Sequence, residues 1–345
     1  MGKLTVVVGG QYGSEGKGAI SAYLSRQLGR GDVAIRVAGP NAGHTVYDQL
    51  GRQYKLRQVP VAAVTSTCRL HIAAGSEIDM HVLDSEVTQL DADGYRVRER
   101  LQIHPSATII EPHHPQREQL DGLPHAIGST GKGIGAARAD RIMRRAKIAA
   151  QIPSVPGTLG WDDHEPFGVA GDRHLLIEGT QGYGLGLHHD NYPAVTSSDC
   201  RAIDFMAMAG VSPWDTCCDE LNIWVVARVY PIRVAGNSGP LRGETTWEAL
   251  GLPEEHTTVT GRVRRVGEWD SRLVAGAVAA NGGSPGVKLA LTMLDQKFPE
   301  VAGITDWERL CQHPDPLDFI YWVEDEVQAK IGLVGTGPRS VVEVP

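Results

Sequence analysis

Apolar residues gather in short blocks at 4–8, 33–37, 70–73, 174–177, 223–229, 287–291 and 319–323, each the length of a buried strand. Between several blocks the spacing turns helical: Ala19, Ile20, Tyr23, Leu24 and Leu28 mark one helix after the first block. This alternation predicts an α/β fold with a largely parallel central sheet. Pro- and Gly-rich stretches at 153–166 and 236–243 predict loops, and neither is long enough to demand a domain boundary. The length alone allows one large domain or two.

The first block runs into Gly-Gly-Gln-Tyr-Gly-Ser14-Glu15-Gly16-Lys17-Gly18, a glycine-rich loop that opens onto the first helix. Free N–H groups and the helix dipole at such a junction attract phosphate, and Lys17 adds a charge, so this is a P-loop-like cradle. It is not a Walker A loop. Five residues separate Gly10 from Gly16, and Gly18 stands where that motif holds magnesium with Ser or Thr.

Composition narrows the ligand. A formal net charge of -8 gives no basic footprint for a nucleic acid polymer, so a nucleotide bound here is expected to be a small molecule. Cys68, Cys200, Cys217, Cys218 and Cys311 are odd in number and lack zinc spacing, which suits a reducing compartment. The chain enters its first strand directly, and no apolar run reaches membrane-spanning length, so a soluble, cytoplasmic protein is expected.

Further polar motifs follow the predicted strands. Asn41-Ala-Gly43-His44-Thr45 places an imidazole beside glycines that permit close approach to a phosphate. Ile127-Gly-Ser129-Thr130-Gly-Lys-Gly is a second glycine-rich loop, and the helical pattern after it carries Arg138, Arg141, Arg144 and Arg145. The amide of Gln181 suits a purine edge and the hydroxyl of Thr196 suits a phosphate. In Thr260-Gly-Arg262-Val263-Arg264, hydroxyl and guanidinium groups match a small dicarboxylate, although a surface basic patch is the plainer reading. His188-His189-Asp190 reads as exposed loop rather than as a metal cluster.

Gly-Gln-Tyr-Gly-Ser-Glu-Gly-Lys-Gly followed by Asn-Ala-Gly-His-Thr resembles the adenylosuccinate synthetase family, whose members condense a 6-oxopurine nucleotide with L-aspartate. The resemblance extends from Val6 to Pro338 and implies one chain-long domain, residues 1–345, with a mixed sheet, and a homodimer. It implies that Gly13, Glu15, Gly16, Lys17, Gly18 and Thr45 hold the triphosphate, with Arg264, Asp295 and Gly337. Asn41, Ser129, Thr130, Gln181, Thr196 and Arg262 are the implied monophosphate ligands, with Ser14 beside the base and Arg144 reaching across from the other subunit. Thr260, Arg262 and Arg264 align with the aspartate loop, Gly43 and Ser14 with the Mg2+ site, and Ser14, His44 and Gln181 with the catalytic positions. Met293 stands where the family has Lys over the triphosphate's base, which opens the site to ATP or dATP as well as GTP.

Ser14 is the telling departure, because the family has Asp there as base and metal ligand. An alcohol is protonated at neutral pH where a carboxylate is not, so Ser14 does not simply replace it as a base. Losing that bulk and charge leaves room and an acceptor for a 2-amino group, as in the phage branch of the family that uses dGMP. The expected reaction is therefore ligation of L-aspartate to dGMP. Ordinary adenylosuccinate synthesis from IMP is one alternative, and an inactive nucleotide-binding regulator is another.

Overall fold

The computed structural model describes residues 2–37, 39–152, 173–214, 219–257 and 261–345. The loop expected at 153–166, the candidate Thr260, and Cys217 and Cys218 lie outside the described residues. Nine strands form the main sheet: β1 (Lys3–Gly9), β2 (Val33–Arg36), β3 (Arg69–Ile72), β4 (Leu101–Ile103), β5 (His174–Glu178), β6 (Glu220–Arg228), β7 (Val287–Thr292), β8 (Ile331–Gly335) and β9 (Val341–Glu343). Their spatial order is β9-β8-β7-β6-β1-β5-β2-β3-β4. Every pairing is parallel except β8 with β9, so the fold is a single α/β domain with a mostly parallel mixed sheet.

Side chains alternate across β1, which explains why its apolar run is continuous. Leu4, Val6 and Val8 pack in the core shared with helices α5 (Ala202–Ala209), α6 (Ser271–Ala280) and α7 (Pro314–Val327). Val7 faces the other way, into the cluster with Ile20, Tyr23 and Leu24 of helix α1 (Lys17–Ser25). Each fully buried Val or Leu of this kind stabilises the fold by about 1.5–3 kcal/mol. A third cluster joins Ala34, Leu70 and Ile72 of the sheet to Leu83, Val87 and Leu90 of helix α2 (Met80–Ala92).

The block at 319–323 is not a strand. It lies within α7, whose buried residues Pro316, Ile320, Val323 and Val327 recur at helical intervals. A five-residue apolar run has no period of its own to separate the two, and Pro314 and Pro316 sit in the first turn, where the missing N–H costs nothing. The hairpin of His44–Tyr47 with Gln53–Leu56 was not among the expected elements, nor were β4, β8 and β9. Residues 236–243 are irregular as expected, with positive φ at Gly236, Gly239 and Gly243.

Chain order reverses at β1, which lies between β5 and β6. The loops leaving the carboxyl ends of these parallel strands converge there, the usual place for a ligand crevice in such a sheet.

Candidate active site

The loop after β1 is held from beneath. A Cβ on Gly9 would stand 2.5 Å from the Gln181 carbonyl oxygen and 2.6 Å from Glu15 Oε1, so only glycine lets the loop turn here. Gly16 caps α1 at φ 88°, a left-handed conformation that favours glycine. Glu15 is fully buried, and its Oε1 accepts from the N–H groups of Gln11 (3.1 Å) and Gly13 (2.8 Å). Lys17 Nζ donates to Glu15 Oε2 at 2.5 Å and to the Gln181 carbonyl. The Glu15 carboxylate therefore braces the loop from below and is not in the lining of the cavity above, which leaves its main chain for the triphosphate role expected of it.

Above the loop lies a cavity of about 700 Å³. Gly13, Ser14, Gly16, Lys17 and Gly18 of the loop form its floor, and Asn41, Gly43, His44 and Thr45 line it as well. Ser129, Thr130, Gln181, Arg262, Arg264, Asp295 and Gly337 are also in the lining. Sixteen residues proposed from separate motifs thus share one chamber.

His44 is nearly buried, and its Nδ1 contacts Glu178, with Arg36 Nη1 at 2.5 Å. Burial and the Arg36 guanidinium push the imidazole down to about 4, against the pull of Glu178. It is therefore neutral at pH 7. Glu178 is itself buried, which opposes ionisation, but Arg36 and His44 outweigh this and hold it below the usual carboxylate range.

Behind Glu255, which is in the lining, fully buried Arg228 donates to that carboxylate at 2.5 and 3.0 Å and to the Ser14 carbonyl at 3.4 Å. Glu255 also lies 3.5 Å from Arg264 Nη1. Although burial works against the charge, Arg228 lowers the Glu255 carboxyl to about 2. Asp295 differs. Burial raises its pKa, and Oδ1 has no hydrogen-bond partner among the described residues. A buried acceptor left open at a cavity wall is set for a ligand N–H.

Two candidates stand away from the chamber. Thr196 is not in its lining, although its N–H bonds the carbonyl of Leu185, which is (2.8 Å). Arg144 is exposed beyond the end of helix α4 (Ile134–Ile142), beside exposed Ile142 and Met143, and contacts nothing in the cavity of its own chain. Arg138 binds Glu77 and the Ser197 carbonyl and so serves the scaffold. His188 is exposed and pairs with Asp199, as an ordinary loop histidine does.

His113, His114 and Asp140 lie close enough together to suggest a metal site. The hydrogen bonding argues otherwise. His114 Nδ1 accepts the Glu111 N–H at 2.9 Å, so the neutral ring carries its proton on Nε2 and has no lone pair there for a metal. Asp140 Oδ1 already takes Arg117 and Arg145, and the cluster instead fixes helix α3 (His113–Leu120) to α4.

Several lining residues belong to none of the motifs read from the sequence: Tyr47, Lys55, Gln119, His125 and Gln296. Lys55 faces Thr45 directly across the hairpin, and among the described residues it has no ion-pair partner. Alternation over Gln53–Leu56, exposed then buried, is the one sign that could have revealed it.

The sequence profile of the adenylosuccinate synthetase family matches residues 6–155 and 168–302. Adenylosuccinate synthetases of Pyrococcus horikoshii and Methanococcus maripaludis are each 39% identical to this chain, over 97% of it and 96% of their own lengths. Among solved structures, the cyanophage S-2L succinoaminodeoxyadenylate synthetase bound to dGMP and dATP as an energy donor superposes with a TM-score of 0.77 at 28% identity, covering 100% of this chain and 96% of that one. Fully ligated adenylosuccinate synthetase from Plasmodium falciparum reaches 0.79 at 18% identity, over 99% of both chains, a likeness of fold.

Proposed function

The chain belongs to the adenylosuccinate synthetase family, C–N ligases that join aspartate to a purine nucleotide, and from that premise we propose that its purine substrate is dGMP, with ATP, dATP or GTP as energy donor. The observation that carries the reading is Ser14, exposed on the cavity floor where the family has Asp. In this reading the purine O6 attacks the γ-phosphorus, the bond to the β-phosphate oxygen breaks, and the aspartate amine then displaces phosphate from C6. Lys17 and the loop N–H groups hold the triphosphate, Ser129, Thr130 and Asn41 the monophosphate, and Arg262 and Arg264 the two carboxylates of aspartate.

Asp295, with its open acceptor, takes an N–H of the donor's base. Adenine and guanine both offer one, so ATP, dATP and GTP remain in play, and Met293 in the lining provides an apolar contact for either. The cyanophage enzyme named for dGMP and dATP supports this assignment. The higher identity to archaeal adenylosuccinate synthetases supports a second reading, IMP with GTP.

Mg2+ is the family's metal. Here the protein oxygens available are the Gly43 carbonyl and the Ser14 hydroxyl, with Glu15 turned under the loop. That set, hard but without a carboxylate, suits an ion that enters on the triphosphate and keeps several waters. When bound, it supplies charge neutralisation to the phosphates. We also assign Arg144 to the monophosphate of a partner subunit, because it is exposed beside two apolar side chains and is absent from its own cavity.

The deciding assay is aspartate-dependent phosphate release with dGMP, GMP or IMP, each with ATP, dATP and GTP, and products identified by mass. Turnover confined to dGMP is the expected outcome. Preference for IMP establishes the second reading, and no release with any pair leaves the inactive regulator.

A further inference from the structure

The hairpin of His44–Tyr47 with Gln53–Leu56 touches two parts of the donor site. At one end it meets the first turn of α1, where a Cβ on Gly18 would stand 2.9 Å from the Thr45 carbonyl oxygen. At the other, a Cβ on Gly51 in its turn would stand 2.8 Å from Arg339 Nη1, two residues beyond Gly337. Gly18 and Gly337 both serve the triphosphate in the proposed reaction, so the hairpin runs alongside that ligand.

Strand alternation sorts the side chains of the hairpin. Val46, Tyr54 and Leu56 are buried in the core cluster with Leu70 and Leu83. Thr45, Tyr47 and Lys55 turn the other way, and all three are in the lining of the chamber. Lys55 is paired with Thr45 in the register, so the two side chains leave the same face as neighbours, with Cβ atoms about 4.5–5.5 Å apart.

Charge then singles out Lys55. The lining holds four lysine and arginine side chains, Lys17, Lys55, Arg262 and Arg264. Lys17 is matched by buried Glu15, and Arg264 Nη1 lies 3.5 Å from Glu255. Arg262 and Lys55 have no ion-pair partner among the described residues, and Arg262 serves aspartate in the proposed reaction. A triphosphate brings more negative charge than Lys17 can balance while it stays bonded to Glu15. We propose that Lys55 is a further donor-binding residue, whose ammonium donates to the phosphate chain of the nucleoside triphosphate beside Thr45. A lysine is a point charge on a flexible stem, so it adds affinity for the donor and leaves the chemical step alone.

The inference rests on the reading of this chamber as the donor site of a ligase, and its test is a binding measurement that needs no turnover. ATP, dATP and GTP, each with Mg2+, are titrated calorimetrically into the wild type, Lys55→Gln and Lys55→Arg, with dGMP and IMP titrated in parallel. Lys55→Gln should raise the Kd of whichever triphosphate binds by roughly 10-fold, leave the monophosphates unaffected and weaken the dependence on salt. Lys55→Arg, which keeps the charge, should recover part of the loss. An unchanged triphosphate Kd in Lys55→Gln, or a loss confined to the monophosphates, overturns the assignment and leaves the donor site standing. A wild type that binds none of the three triphosphates overturns the donor reading itself. The wild type also decides alone, should Lys55→Gln fail to fold: acylation followed by peptide mass should modify Lys55 in the empty protein and spare it with triphosphate bound. Equal modification in both states overturns the proposal.

Discussion

At the scale of single residues, the site is built from groups whose charges are settled before any ligand arrives. Asp295 is the exception, an acceptor that is buried and unpartnered among the described residues. Because burial raises its pKa, it takes up a proton at a higher pH than an ordinary carboxylate and then loses acceptor strength. Triphosphate affinity should therefore weaken as pH falls through that raised pKa, and Asp295→Asn should flatten the dependence in calorimetric titrations from pH 8 to pH 5. The same variant should lose about 1–3 kcal/mol of binding at pH 8, the cost of a mispaired buried group. Ser14 makes the complementary prediction. Ser14→Asp restores a carboxylate to the cavity floor and should move the preference from dGMP toward IMP by roughly 10-fold or more in kcat/KM, measured with the two monophosphates in parallel. Equal changes for both nucleotides would remove Ser14 from substrate choice.

At the scale of elements, the close packing of α1 against the hairpin strand His44–Tyr47 sets the geometry. Gly18, in the first turn of α1, meets that strand so closely that a Cβ would lie 2.8 Å from His44 Cβ and 2.9 Å from the Thr45 carbonyl oxygen. Gly18→Ala should push the two apart, with triphosphate KM up and kcat down by about 10-fold or more each, while a far-ultraviolet dichroism spectrum stays that of a folded protein. This is also where legibility in the sequence divides. The cradle loop and β1 are visible because a continuous apolar run and a glycine cluster are each local signals. The brace under the loop is not visible, because Glu15 looks like a phosphate ligand until its partners, the Gln11 and Gly13 N–H groups and the Lys17 ammonium, are placed in space. Likewise the apolar run inside α7 reads as a strand, since five apolar residues carry no period and the neighbours that bury them are far off in sequence.

At the scale of the molecule, Arg144 separates a single subunit from an assembly. If it serves a partner's monophosphate, Arg144→Ala should raise monophosphate KM about 10-fold, and mixing it with a variant dead at His44 should restore activity in the hybrid. No recovery on mixing, with dimers present by sedimentation, would remove the trans assignment. The order of strands carries a different consequence. β1 is central, yet Lys3 pairs with His174 on one side and Glu220 on the other. During synthesis, α1 can cover Val7, but the fully buried β1 gains its first strand partner only when the chain has been extended through Glu178 and its second only through Arg228. An apolar strand thus leaves the ribosome early and waits for its neighbours, exposed to chaperones and to the same segment on neighbouring nascent chains.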